Sequence, residues 1–351
     1  MITLAILFTL ALLGVILYLI FRIQILGSVY RGTYNKRVST SNKVNATLFV
    51  VFLIVGGGAF FWSFQDAKPE MTVPVASVHG AWVNDMFWLT MAVIGIVFVI
   101  TQVLLFYYSY KYQFREDKTA YYYPHNNKLE IIWTIIPAIV MAMLVFSGWK
   151  AWTKITNPAP ADAVVVEITG KQFNWLFRYP GKDNALGLAK HTLIDASNEI
   201  GIDFNDKKAH DDIIVNEIHI PKGRPVLFRI RSRDVIHDVY QPNFRVQMHA
   251  VPGMPTKFWF VPTKTTAEMA EETGNPDFKY ELVCSQICGR GHFAMRGTLV
   301  VDEPEDYEAW LAKEQPFLEK NPDLLAKFKN APVQVVTAGN EKGKIEEKAA
   351  L

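Results

Sequence analysis

Cysteine is nearly absent: the 351 residues hold two, Cys284 and Cys288. A disulfide-stapled framework is therefore excluded, since that needs several matched pairs. No Cys-x2-Cys-His run occurs, which disfavours covalent c-type haem on this chain. A phosphate-cradling glycine motif and an internal repeat are both missing. The formal net charge is only +2, so the composition gives no reason to expect nucleic acid as a partner. Acidic residues are wholly missing from 22–43, a stretch that carries Arg22, Arg31, Lys36, Arg37 and Lys43. The first residues show neither a basic n-region nor a small-residue cleavage pattern, so residues 1–22 are expected to be a retained membrane helix rather than a signal peptide.

What the chain has in quantity is apolar residues, half of the total, concentrated in the first 152 positions. Four runs are long enough to cross a bilayer: 1–22, about 46–64, about 86–108 and 131–149. Gly56, Gly57 and Gly58 weaken the second as a helix but allow close helix–helix approach in a membrane. Pro137 is expected in the first turns of the fourth, where proline costs least. The segments 22–43 and 109–130 are lysine- and arginine-rich, whereas 65–82 has only Lys68. The positive-inside rule puts the first two in the cytoplasm and the third outside. Four spans then leave everything after the fourth on the outer side.

Pro158 and Pro160 mark a linker, and from Val164 the pattern changes to short β-rich runs. Strands are expected at 164–169, 172–179, 213–220, 226–230, 245–249, 258–261, 280–283 and 297–301, with little helix, which suggests a sandwich or barrel. Residues 181–212 read as an inserted, polar, surface-exposed loop. The tail is expected to be helical from about Pro304 to Asn330 and disordered thereafter.

The chemistry concentrates in Cys284-Ser-Gln-Ile-Cys288-Gly-Arg-Gly-His292-Phe-Ala-Met295. Two thiolates, an imidazole and a thioether within twelve residues are a mixed, soft donor set that favours copper. A disulfide across Cys-x3-Cys would close a very small loop under tight geometry. A structural zinc site would give the methionine no role. His237, in Arg-Asp-Val-Ile-His-Asp, is the best candidate for a second imidazole.

This stretch resembles the copper loop of subunit II of the haem–copper respiratory oxidases, the cytochrome c oxidase type. The resemblance covers roughly residues 83–305 and implies a Greek-key, cupredoxin-like barrel after the membrane helices. It implies the dinuclear copper centre called CuA, with Cys284 and Cys288 as bridging thiolates, His237 and His292 as imidazole ligands, Met295 as thioether and Gln286 as carbonyl ligand. The family usually has glutamate where this chain has Gln286, and the lost carboxylate puts the family's magnesium ion in doubt. Phe173 stands where the family has the tryptophan through which electrons enter, and Trp175 matches a second, structural tryptophan. Glu130 matches a glutamate at the mouth of a proton pathway, although an acid in a first helical turn is also favourable to the dipole alone. His249 stands where an aspartate is usual and reads as a surface or interface histidine.

The domains expected are an added two-helix segment (1–64), a transmembrane hairpin (65–152), a copper domain (153–305) and a tail (306–351). The function implied is an integral protein of a bacterial-type inner membrane with its copper domain on the periplasmic side. It would take electrons from cytochrome c, or from a cytochrome-bearing donor complex, and pass them to haem in oxidase subunit I, which holds further copper. The subunit of a CuA-bearing nitric oxide reductase and a membrane-anchored copper carrier are the alternatives. Eight acids against four lysines in 181–217 could steer a basic cytochrome or could simply be a solvated loop.

Overall fold

The computed structural model describes residues 2–329, so the disorder expected of the last residues lies outside them. Four long helices come first: α1 (Ile2–Tyr30), α2 (Tyr34–Met71), α3 (Val78–Lys111) and α4 (Asn127–Thr156). Each contains a window apolar enough to cross a membrane. All exceed the roughly 20 residues that a bilayer core requires, because the helices continue through the polar ends that hydropathy alone cuts off. Pro137 is consequently interior, ten residues past the start of α4, and not in its first turns. Interior proline is tolerated in membrane helices because neighbouring groups re-satisfy the freed carbonyl.

The described residues form two compact units, one of those up to 73 together with 86–147, the other of 74–85 together with those from 148 onward. Within the first, α2 packs along α3 through Phe49, Phe52 and Phe60, whose rings meet Phe106 and Phe98 at centroid distances of 5.5–6.1 Å. Most other large apolar side chains of these helices are exposed, as lipid- or partner-facing residues are.

The second unit is a β-sandwich of two five-stranded sheets. Sheet one comprises β1 (Val164–Lys171), β2 (Asn174–Tyr179), β3 (Ile213–Val215), β5 (Val226–Ser232) and β8 (Thr256–Phe260), in the order β3-β2-β1-β5-β8. Sheet two comprises β4 (Ile218–Pro221), β6 (His237–Gln241), β7 (Val246–Ala250), β9 (Tyr280–Cys284) and β10 (Arg296–Asp302), in the order β4-β10-β9-β6-β7. The pairs β1–β5 and β4–β10 are parallel and the others antiparallel. Alternation explains the core. Val166, Ile168, Phe228, Ile230 and Phe260 point inward from sheet one, against Ile218, Ile220, Val239, Val246, Leu282 and Leu299 of sheet two, and all are fully buried. Each such side chain contributes about 1.5–3 kcal/mol.

Four expectations need correcting. The run 213–220 is two strands, because Asn216 and Glu217 break it and send β4 to the opposite sheet. Strand β6 went unpredicted, since His-Asp-Val-Tyr-Gln lacks apolar alternation. A helix, α5 (Thr266–Thr273), is set by a capping box between Thr265 and Glu268. The tail is broken into α6 (Pro304–Leu311), α7 (Phe317–Lys320) and α8 (Pro322–Lys329), as Pro316 and Pro322 require.

A further correction concerns residues 181–212, which are folded and not a solvated loop. Ile200, Ile202, Phe204 and Ala209 form a second buried cluster with Leu318 of α7. The acids organise this segment. Asp195 accepts from the amides of Ser197 and Asn198, Asp203 binds Lys190, Asp206 caps a turn at Lys208, and Asp211 accepts from the amide of Asp183. Asp212 is completely buried and pairs with Arg178 at 3.0 Å, which also holds Glu167 at 2.8 Å. Burial outweighs Arg178 and pushes the Asp212 carboxyl up to about 6.

Candidate metal centre

The residues flagged by sequence converge at one end of the second sheet. Strand β6 lies between β7 and β9, and its register sets Val239 opposite Cys284. His237 therefore starts β6 beside the point where β9 ends, and residues 285–295 loop from there into β10. The Sγ of Cys284 lies 3.9 Å from Nδ1 of His237, 3.9 Å from Sγ of Cys288 and 3.1 Å from the carbonyl oxygen of Gln286. The Sγ of Cys288 lies 3.7 Å from Nδ1 of His292 and 3.9 Å from Sδ of Met295. Six donors thus form a chain of contacts centred on the two sulfurs.

These distances fit shared metal ligation. A disulfide would need sulfurs about 2.05 Å apart, and both cysteines are free. A first-row cation bonds thiolate at about 2.3 Å and imidazole at about 2.0 Å, so a single ion reaches two donors separated by up to about 4.3–4.6 Å. Burial, with Cys284 alongside, pushes the Cys288 thiol up to about 11, so the protein alone does not hold this sulfur as thiolate. A soft cation would do so.

Several residues that sequence reading passed over complete the site. Asp234 accepts from Nε2 of His237 at 2.8 Å, which leaves Nδ1 facing the sulfurs. Its other oxygen accepts the Gln172 amide at 2.7 Å, and the Gln172 side chain donates to the Cys288 carbonyl at 2.6 Å. Burial raises the Asp234 carboxyl, but the bonds from Gln172, His237 and Val235 prevail and hold it below the usual range. Gly170 lets β1 approach, since a methyl group there would meet the His237 ring at 2.8 Å. An acid three residues before a candidate ligand was the one legible signal.

Phe173 is 38% exposed and lies over the copper loop. Trp175 is buried, with its ring edge-on to His237 at 5.9 Å. His249 is exposed and is joined to Asp238 rather than to either sulfur. Glu130 sits exposed in the first turn of α4 and belongs to the other unit.

Comparison with known proteins agrees with this geometry. Residues 61–150 match the cytochrome c oxidase subunit II transmembrane domain and residues 164–302 match its periplasmic domain. The alternative cytochrome c oxidase subunit 2 of Bradyrhizobium diazoefficiens is 32% identical over 274 residues, 78% of this chain and 93% of the relative. Cytochrome c oxidase subunit 2 of Thermostichus vulcanus is 24% identical over 68% of this chain and 77% of its own. The subunit 2 of Cereibacter sphaeroides is 25% identical over 70% and 78%. A membrane-anchored protein whose outer-side β-domain gathers a soft donor set compatible with copper, this chain belongs to the cytochrome c oxidase subunit II family and is part of an oxidoreductase complex.

Proposed function

We propose that this chain receives single electrons from a cytochrome c, or from a cytochrome-bearing complex, at a dinuclear CuA centre and delivers them to haem in oxidase subunit I. The convergence of Cys284, Cys288, His237, His292, Met295 and the Gln286 carbonyl within 3.1–3.9 Å contacts carries this reading. The copper pair would supply a one-electron store whose charge is shared over two ions. The protein supplies a rigid, buried setting: Cys284, Cys288 and Met295 are part of the same core as Trp175, Phe177 and Val239. Rigidity and exclusion of water limit the rearrangement that accompanies a change of charge.

Electrons enter at Phe173, a half-exposed ring in contact range of Gly289 and Gly291 in the copper loop. Trp175 holds the His237 imidazole from the core side. Glu130 admits protons at the cytoplasmic end of α4, with residues 65–152 as the hairpin that meets subunit I and 1–64 as an addition to it. The copper domain, 153–305, occupies the periplasmic side of a bacterial inner membrane. The named relatives are all cytochrome c oxidase subunits, which favours this reading over a nitric oxide reductase subunit or a copper carrier.

The test is the full chain purified in its complex from native membranes. Two coppers per chain, with one unpaired electron shared between them by electron paramagnetic resonance, are expected. A blue single-copper spectrum, or one labile copper removed by mild chelators, would overturn the assignment. Cys288→Ser should abolish or convert the centre, and His249→Ala should keep both coppers.

A further inference from the structure

His237 is flanked by two carboxylates with different tasks. Asp234, three residues before it, bonds the imidazole itself. Asp238, directly after it, faces the other side of β6 and touches no candidate ligand atom, yet is 1% exposed. A buried carboxylate needs partners to offset its lost hydration, and those of Asp238 come from the start of the copper loop and from the neighbouring strand β7. The Ser285 hydroxyl donates to Oδ2 in a very short contact, and Gln247 Nε2 donates to the same oxygen at 2.9 Å. His249 Nδ1 lies 3.0 Å from Oδ1. The backbone adds a fourth link, from the Ser285 amide to the Asp238 carbonyl at 3.3 Å.

Register explains the meeting. Val239 is opposite Cys284 and His249 is opposite Asp238, so continuing the β6–β9 ladder by one residue puts Ser285 across from Asp238. Ser285 is the first residue after the sulfur that ends β9, and Gln286, whose carbonyl lies 3.1 Å from that sulfur, follows it. The opposite half of the loop is held by the Gln172 bond to the Cys288 carbonyl.

We propose that Asp238 is a positioning residue for the copper centre: through Ser285 it pins the first half of the loop to β6 and so directs Cys284 and the Gln286 carbonyl at the metal. This rests on the copper reading above. Asp238 contributes no metal bond. It removes the loop's freedom to swing away from His237, and Gln247 and His249 brace the carboxylate from β7. A residue that orients ligands in this way ordinarily changes metal affinity about 10–100-fold when lost.

The test uses the full chain carrying Asp238→Ala, Asp238→Asn, Ser285→Ala and the Asp238→Ala/Ser285→Ala double replacement. Copper is removed and then titrated back, and the paramagnetic resonance spectrum and reduction potential are recorded. Asp238→Ala and Ser285→Ala should each weaken copper retention about 10–100-fold and change the hyperfine pattern and potential. Asp238→Asn, which keeps an acceptor oxygen for Ser285, should recover part of the loss. The double replacement should be little worse than the weaker single one, because both act through one contact. Ser285 is exposed, so its loss of a hydroxyl tests the idea even where Asp238→Ala fails to fold. Wild-type spectra, potential and affinity in Ser285→Ala, or losses that simply add in the double variant, would overturn the proposal. Failure of the unaltered chain to take up two coppers would instead overturn the copper reading itself.

Discussion

A methyl group added at Gly291 would lie 2.6 Å from Cγ of Phe173, and one at Gly289 would lie 3.0 Å from the same ring. Gly289 also has φ of +135°, a backbone conformation that side-chain-bearing residues rarely adopt. Both glycines are thus required for the aromatic ring to lie against the copper loop, and not only for the loop to turn. Gly291→Ala should force the ring outward and cost about 1–3 kcal/mol, read as a lowered melting temperature of the copper-loaded chain. It should also slow electron uptake in stopped-flow mixing with reduced cytochrome. Adding Phe173→Ala to Gly291→Ala should recover much of the lost stability, because the colliding atoms are gone. An unchanged melting temperature in Gly291→Ala would show that the ring moves aside freely. At this scale the sequence was legible where the candidate ligands were concerned: Cys284, Cys288, His292 and Met295 lie close together in the chain, and local spacing points to the cluster that the fold brings together. Asp238 and Gln172 were not legible, because their contacts span 47 and 116 residues and become visible only once strands pair.

Among the elements, apolar patterning located all four membrane helices, since run length and hydropathy suffice there. It failed at β6, where the strand's purpose is to present His237 and Asp238, so polar residues occupy positions that pattern reading expects to be apolar. It failed also at 181–212, where aspartates look like solvated charges but serve as acceptors for backbone amides at turns. That segment has its own small core closed by α7, which sits more than a hundred residues later in the chain. Leu318→Ala should therefore act at a distance in sequence. Removing a buried leucine side chain costs about 2–5 kcal/mol, and here the loss falls on the satellite cluster around Ile202 and Phe204. Faster proteolytic cleavage within 181–212 is expected, with copper content and the paramagnetic spectrum unchanged. Loss of copper together with faster cleavage would mean that the inserted segment and the copper loop unfold as one unit.

For the whole molecule the question is how a donor finds the copper loop. The acids at 183, 195, 199, 203, 206, 211 and 212 all have partners inside the protein. Three of these acids lie beside cations: Glu199 beside Lys171 and Arg233, Asp203 beside Lys190, and Asp212 beside Arg178, which also holds Glu167. The charge of those three is largely cancelled within a few ångströms, the carboxylates of Asp183, Asp195, Asp206 and Asp211 are engaged by backbone amides, and the chain as a whole carries only +2. Beside the exposed Asp234 and Arg290, the copper end carries an exposed apolar set: Phe293 and Ile287 are 81% and 80% exposed, and Ile236, Val235 and Phe173 are partly so. Apolar contact is not screened by salt, whereas attraction between separated charges is lost as the Debye length falls from about 10 Å at 0.1 M to about 3 Å at 1 M. Turnover of the complete oxidase with a basic cytochrome should consequently vary less than about twofold over that range, as steered association does not. Asp211→Asn should leave the salt dependence unaltered, because that carboxylate holds the Asp183 amide rather than a partner. Ile287→Asp and Phe293→Asp should instead slow electron uptake at every ionic strength. A steep fall in turnover with salt that flattens in Asp211→Asn would restore charge steering by the inserted segment and reject apolar docking.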